Sequence, residues 1–510
     1  MISIGDHRLT LEELVQVARY REKAALSESA NAQIEASHQR LERIIQSGKP
    51  VYGINTGFGI FSDQRIPEKD WAKLSRNLIL SHAVATGEPF QREITRAAML
   101  VRANTLSQGF SGVRLEIVDT LIKMLNAGVT PIVPSQGSLG SSGDLSLLSH
   151  MALVFTTDEK DLDEESGFAD FEGKVMSGKA AMRQAGIDRI TLGPKEGLAI
   201  NNGATFSAAL AALNLMDAAY LIELDEASTA LSLEAMLGCS AAFDERLHAA
   251  RHQSGQMKSA EAIRSYFKGS SYVDSTCRVQ DAYSLRCAPQ VIGAVRDTVE
   301  FASKVIENEI NAATDNPLIF EPETAISGGN FHGEPVGMVM DFLGIAVAEL
   351  GAISERRTFR LTDGRLNGGL PTMLVDSEHD AGLNSGLMMP QYTAVSLVLE
   401  NETLATPDTV HSLPTSGEQE DHNANAMTAT RHARQIIENV VHILSIELYT
   451  ASRAIDLRKK NSSGILGKKD GEVYNRIRHQ VEYHAEDRLW SAEIEKVKEL
   501  VATHQILADL

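Results

Sequence analysis

The stretch from Pro134 to His150 reads P-S-Q-G-S-L-G-S-S-G-D-L-S-L-L-S-H. Gly137, Gly140 and Gly143 stand at i, i+3 and i+6, ahead of an apolar run of helical character. A glycine-rich loop before a helix can cradle phosphate. Here no lysine follows the loop, as a P-loop requires, and the spacing GxxGxxG is not that of a dinucleotide fold. Asp144 would oppose an anion at the helix start, where it suits an N-cap. Ser141-Ser142-Gly143 offers other chemistry. A backbone nitrogen can attack the carbonyl two residues back, and glycine at the third position removes the steric block. Loss of one water from the ring, and of a second from Ser142, leaves an exocyclic methylidene. That group is an electrophile, which no ordinary side chain supplies. For the triplet alone, a tight glycine turn is the commoner reading.

Two further sets of residues have chemical potential. Tyr52 lies beside Gly53, Gly57 and Gly59, in a loop able to act as a lid. A tyrosine ionises near about 10, so service as a base near neutral pH needs cationic neighbours or helix N-termini to lower it. The alternative is a tyrosine packed in a glycine turn. Gln280, Tyr283 and Arg286 follow at steps of three, the spacing of one helical face. A guanidinium grips a carboxylate with two hydrogen bonds. Alone, Q-x-x-Y-x-x-R is ordinary and usually structural, and both Arg286 and Arg357 are open to a reading as structural ion pairs, Arg357 more so.

The elements that must position these groups are mostly helical. The chain has 510 residues, which as a prior suggests about three domains. At that length it needs neither disulfides nor metals to fold. Only 14 prolines interrupt it. Before residue 200 the segments are short and broken by Gly and Pro. After it come long runs of helix formers, Ser207–Leu237 and Val291–Ala313 among them. Over Met427–Leu457, Ile437, Val440, Leu444, Leu448, Ala451 and Ile455 fall at steps of three and four. Such a helix, about 45 Å long, belongs in a bundle, with contacts either within one chain or between subunits. We therefore expect a loop-rich N-terminal region, 1–200, and a helical region, 201–510.

Composition excludes other classes. Lys and Arg number 48 against 68 Asp and Glu, a net charge of −20, which disfavours nucleic acid and anionic membranes. Cys239, Cys277 and Cys287 form neither a disulfide framework nor a CxxC pair. His332 and His422 lack metal-motif spacing, so no metal is expected. The uncharged stretches Met124–Gly143, Gly197–Met216 and Gly382–Leu399 contain Gly, Pro or Asn and read as buried segments rather than membrane spans. No signal peptide is visible in MISIGDHRLT, so a cytosolic location is expected.

The loop resembles G-x-x-G-A-S-G-D-L of the aromatic amino acid ammonia-lyases, in which Ala-Ser-Gly forms a methylidene-imidazolone (MIO) group. Ser141 stands where that family has Ala. The resemblance runs along nearly the whole chain: V-Y-G-I-N-T-G-F-G at Val51–Gly59, N-N-G at Asn201–Gly203, Q-D-A-Y-S-L-R-C-A-P-Q at Gln280–Gln290, T-D-N-P at Thr314–Pro317, G-G-N-F-H-G-E-P at Gly328–Pro335, S-E-R-R at Ser354–Arg357 and G-L-N-S-G-L-M at Gly382–Met388. It implies a mainly α fold of the family's long-helix, fumarase-like type. It also implies a homotetramer whose active sites each draw on three chains. MIO would form from Ser141-Ser142-Gly143, with no diffusible cofactor. Carried over by position, Tyr52 is the base and Asn202 and Tyr283 are catalytic. Gln280, Arg286, Asn311 and Phe331 contact the substrate, with Phe331 stacking on it or on the prosthetic ring.

Two positions bear on the substrate. Ser81-His82 matches the histidine-specific branch, where tyrosine and phenylalanine lyases carry His-Leu or Phe-Leu. Glu420, in E-Q-E-D-H, matches the same branch, and a carboxylate can accept a hydrogen bond from an imidazole N–H. The resemblance thus implies elimination of ammonia from L-histidine, a small-molecule substrate. Ala204 for Thr, Ala288 for Gln and Gly417-Glu418 for Ala-Asn depart from that branch. Tyrosine or phenylalanine lyases, a 2,3-aminomutase and, from another class, a silent helical scaffold are the alternatives.

Overall fold

The protein was analysed as a computed structural model that describes residues 1–417 and 419–510, with Glu378 described in its backbone only. The elements that bear on function are, in chain order, α1 (Trp71–His82), β1 (Thr86–Pro89), α2 (Arg92–Ser107), β2 (Pro134–Gln136), α3 (Leu145–Phe155), α4 (Glu196–Asn201), α5 (Thr205–Ala235), α6 (Tyr283–Arg286), α7 (Ala288–Glu309), β3 (Leu318–Phe320), β4 (Thr324–Ile326), α8 (Glu334–Thr362), α9 (Met388–Leu404) and α10 (Ala426–Asn461). Among the described residues, strands form only five small sheets of two or three members. The mainly α class expected from the helix-forming runs is what the chain adopts. Glu418, one of the departures noted above, lies outside the described residues.

The chain divides into two compact units. The first comprises Met1–Met216, Ala302–Asp341 and Pro407–Arg431. In it α1, α3 and α4 pack on one another. Leu147, Leu148, Met151, Val154 and Phe155 bury most of the α3 surface, which explains the nearly unbroken apolar run after Asp144. Strands β1 and β2 pair antiparallel, Thr86 opposite Gln136 and Pro89 opposite Pro134. That pairing brings the end of α1, with His82, to the start of the glycine-rich loop. The hairpin β3–β4, Leu318 opposite Ile326, delivers the chain into Gly328–Phe331.

The second unit comprises Asp217–Phe301, Phe342–Thr406 and His432–Leu510. The stripe expected on α10 is its core: Ile437, Val440, Leu444, Leu448, Ala451 and Ile455 are all buried. Helices α5, α8 and α10 are joined there by ions. Arg357 on α8 donates to both oxygens of Glu447 on α10, at 2.6 and 2.8 Å, and also to Asp225 on α5. Ser232 and Ser354 hydroxyls each donate to Glu447 at 2.6 Å. Asp225, Arg357 and Glu447 are wholly buried, so Arg357 is the structural ion-pair residue that was one of its two readings. Helices α5 and α8 are long and apolar enough to cross a membrane, yet 78% and 67% of their most apolar windows are buried within the chain.

Removing one member of a buried ionic group strands the others without solvent. Arg357→Met should therefore lower the unfolding free energy by about 3–5 kcal/mol. Denaturant titration followed by circular dichroism measures this. Replacing Asp225 and Glu447 by Leu as well should recover much of the loss.

Candidate active site

The triplet Ser141-Ser142-Gly143 lies between β2 and α3, against the junction of α4 and α5. Gly143 has φ +76°, and a Cβ there would sit 2.0 Å from the carbonyl carbon of Gly203. Glycine is therefore required twice over, for its backbone angle and for the contact. The contact is a short parallel bridge between Gly143 and Gly203. Asp144 N donates to Gly203 O at 2.9 Å. In return Ser142 O accepts from Gly203 N at 3.2 Å and from Asn202 Nδ2 at 2.7 Å. Two donors thus converge on one carbonyl oxygen, the arrangement that stabilises developing negative charge.

Asp144 does a different job from the one expected. Its side chain makes no capping bond to α3. Instead Oδ2 accepts from Ser207 N at 2.8 Å, in the first turn of α5. Oδ1 accepts from the Ser207 and Ser138 hydroxyls at 2.8 and 2.7 Å. The carboxylate therefore serves the N-terminus of the helix that follows Gly203, where the helix dipole favours negative charge. The side chain is fully buried, and burial raises its pKa above the ordinary value, while bonds from Ser207 and Ser138 and the charge of Arg102 oppose this. Arg102 on α2 is itself buried and donates to Ala199 O at 3.1 Å and to the Thr205 hydroxyl.

A cavity of about 1580 Å³ opens over the triplet. Its wall gathers Tyr52, His82, Ser141, Ser142, Asn202, Phe331 and Glu420. All seven belong to the first unit, on segments far apart in sequence. Three of them are held by local bonds. The Tyr52 hydroxyl accepts from Gly59 N at 3.4 Å. His82 Nδ1 lies 3.0 Å from the Ser81 hydroxyl. Glu420 and Thr415 exchange backbone bonds of 2.8 and 3.2 Å, closing a turn that presents the Glu420 side chain. His422 and His332 also line the wall, their rings stacked at 5.9 Å, with His332 Nε2 donating to His422 O at 3.2 Å. Sequence reading left these two without a role once metal binding was set aside; their contact joins the loop after β4 to the Glu420 turn.

Electrostatics in the wall run against one expectation. Tyr52 was expected to be lowered. Burial raises it, the charge of Glu420 adds to the rise, and the Gly59 bond only partly offsets them. His82 moves down, because burial disfavours its cation more than Glu420 favours it. Among the described residues, no arginine or lysine lines the cavity.

The remaining candidates lie elsewhere. Gln280, Tyr283 and Arg286 belong to the second unit. Tyr283 and Arg286 share the one-turn helix α6, with the guanidinium 4.7 Å over the tyrosine ring. Gln280 precedes that helix, so the shared face stops at Tyr283. Tyr283 is 70% exposed in the protomer. Asn311, in the first unit, is not on the cavity wall. Its amide exchanges bonds of 2.8 Å with both backbone groups of Leu9 and also accepts from Asn104 at 3.1 Å.

Known proteins resemble this chain along nearly its whole length. A family model described as aromatic amino acid lyase matches residues 9–479. The chain is 47% identical over 490 residues to the histidine ammonia-lyase of Caldanaerobacter subterraneus subsp. tengcongensis, covering 96% of this chain and 94% of that one. The crystal structure of histidine ammonia-lyase from Trypanosoma cruzi matches with TM-score 0.90 at 35% identity, covering 99% of this chain and 94% of that one. Tyrosine aminomutase from Streptomyces globisporus matches with TM-score 0.92 at 32% identity, covering 99% and 97%. With a family model spanning nearly its full length and a doubly held carbonyl at the heart of its cavity, the chain belongs to the aromatic amino acid lyase family.

Proposed function

We propose that this protein is a histidine ammonia-lyase, converting L-histidine to trans-urocanate and ammonia. One observation carries the reading: Ser142, whose carbonyl is held by Asn202 and Gly203, lines a cavity that also holds His82 and Glu420. The resemblance to histidine lyases of several organisms supports the same substrate.

The residues present suit an MIO group. Cyclisation of Ser141-Ser142-Gly143 keeps the Ser142 carbonyl oxygen outside the ring, on its two donors. Once formed, the group supplies an electrophilic carbon that makes the substrate amine a better leaving group. The chain's own residues do the rest. Tyr52 takes the β-proton as phenolate. Glu420 accepts a hydrogen bond from the imidazole N–H, with His82 beside it. Phe331 gives the ring an apolar wall. Asn202 and the Gly203 amide hold the oxygen on which charge grows. The substrate carboxylate needs a cation, and Arg286 supplies it across a subunit boundary in a homotetramer, with Gln280 and Tyr283. The same cation favours the Tyr52 phenolate, which burial within one protomer opposes. The enzyme works in the cytoplasm.

The loop peptide should weigh two waters less than its sequence, and Ser142→Ala should restore that mass and abolish turnover. Tyr52→Phe should keep the mass deficit but lower kcat/KM by about 10²–10⁴-fold. In the unsubstituted enzyme kcat/KM should climb with pH on the acid limb, because the base acts only when deprotonated. Glu420→Gln should raise KM for histidine more than for phenylalanine. A substrate panel with ammonia release reads these effects, and a β-amino acid product would mark a mutase instead.

A further inference from the structure

Ser141 departs from the family's Ala, and its hydroxyl is not idle. Asn423 Nδ2 donates to Ser141 Oγ at 2.7 Å. Both residues are buried, at 4% and 1% exposure. Asn423 is itself fixed. Its Oδ1 accepts from Leu413 N at 2.9 Å, and its own N donates to the Ser412 hydroxyl at 2.9 Å. Nearby, Asn425 N donates to Leu139 O at 2.7 Å, and Gly333 N donates to Gly140 O at 2.8 Å. Three bonds therefore strap residues 139–141, the N-terminal side of the triplet. The C-terminal side is held separately, by Asn202 and Gly203.

Ring closure joins these two sides. Gly143 N forms a bond to the Ser141 carbonyl carbon, whose oxygen leaves with two protons as water. Ser142 then loses its α-hydrogen and its hydroxyl as a second water. Two waters are released and no oxidant is needed. The attack requires the Ser141 carbonyl to be held toward Gly143 N. Ser141 is tied through its side chain, and the residues just before it, Leu139 and Gly140, through their carbonyls, which fixes a segment that its glycines would otherwise leave loose.

We propose that Asn423 is a positioning residue for this ring closure, acting through its hydrogen bond to the Ser141 hydroxyl. The inference rests on the reading of Ser141–Gly143 as the MIO precursor. Because Asn423 directly follows His422 and lies three residues after Glu420, the same bond ties the substrate-recognition turn to the reactive triplet.

The test uses the full-length chain made by cell-free synthesis, sampled over time, with the loop peptide weighed after digestion. Asn423→Leu and Ser141→Ala should each slow the loss of two waters by about three- to tenfold, the worth of one hydrogen bond. The double variant should be no slower than the slower single, since both remove the same bond. Circular dichroism confirms folding, and if Asn423→Leu does not fold, Ser141→Ala, which deletes one oxygen, reads the same bond. Unchanged rates in the folded variants, or a double variant restored to the unsubstituted rate, would overturn the role and leave a merely satisfied buried pair. An unsubstituted peptide with no mass deficit would instead overturn the MIO reading itself.

Discussion

The candidate site depends on one steric constraint, the approach of the Gly143 backbone to that of Gly203. No side chain fits between them. That closeness lets one carbonyl, Ser142, reach a backbone amide and the Asn202 side chain together. It also sets the start of α5 beside the start of α3, so Asp144 can serve the helix it does not precede. A single methyl at Gly143 would push these groups apart and dissolve the convergence. Packing and electrostatics are thus one device here. The chain entering α5 supplies two amide N–H groups: Gly203 N donates to the Ser142 oxygen, and Ser207 N to the buried Asp144 carboxylate.

The cavity above is built on a different economy of charge. Glu420 raises Tyr52 and, less effectively than burial opposes it, favours the cation of His82. Its described wall carries acids and imidazoles with no permanent cation. A zwitterionic amino acid brings one carboxylate and one ammonium. The wall of a single protomer therefore answers the ammonium and imidazole ends better than the carboxylate end. Arg286, to which the proposed function assigns the carboxylate, belongs to the second unit, where it lies over Tyr283.

Much of this was legible in the residues, and the failures have physical reasons. The glycine loop announced itself because its chemistry is local: attack and target lie two residues apart. The α10 stripe was legible because a helix repeats its buried face every three or four positions. Asp144 misled because its partner, Ser207, comes 63 residues later. Spacing near a helix start says that a carboxylate is wanted, not which helix will want it. The direction in which Tyr52 shifts was not legible, because a pKa sums over neighbours that only the fold assembles. Gln280 was placed on a helical face that ends before it, since spacing of three cannot show where a one-turn helix begins. Asn423 went unremarked because a lone asparagine carries no periodic signal. Only the unusual Ser141 hinted that something must answer its hydroxyl.

The partners of the triplet are also separated in time. Ser142 waits 60 residues for Asn202, and Ser141 waits 282 for Asn423. At about 5–20 residues per second of synthesis, the second interval lasts on the order of tens of seconds. The hydrogen-bonded surroundings of the loop are complete only when more than four fifths of the protein has been made. Under the ring closure proposed above, the triplet stays an ordinary peptide until those late partners arrive, and the covalent group would then record that the chain was finished and folded.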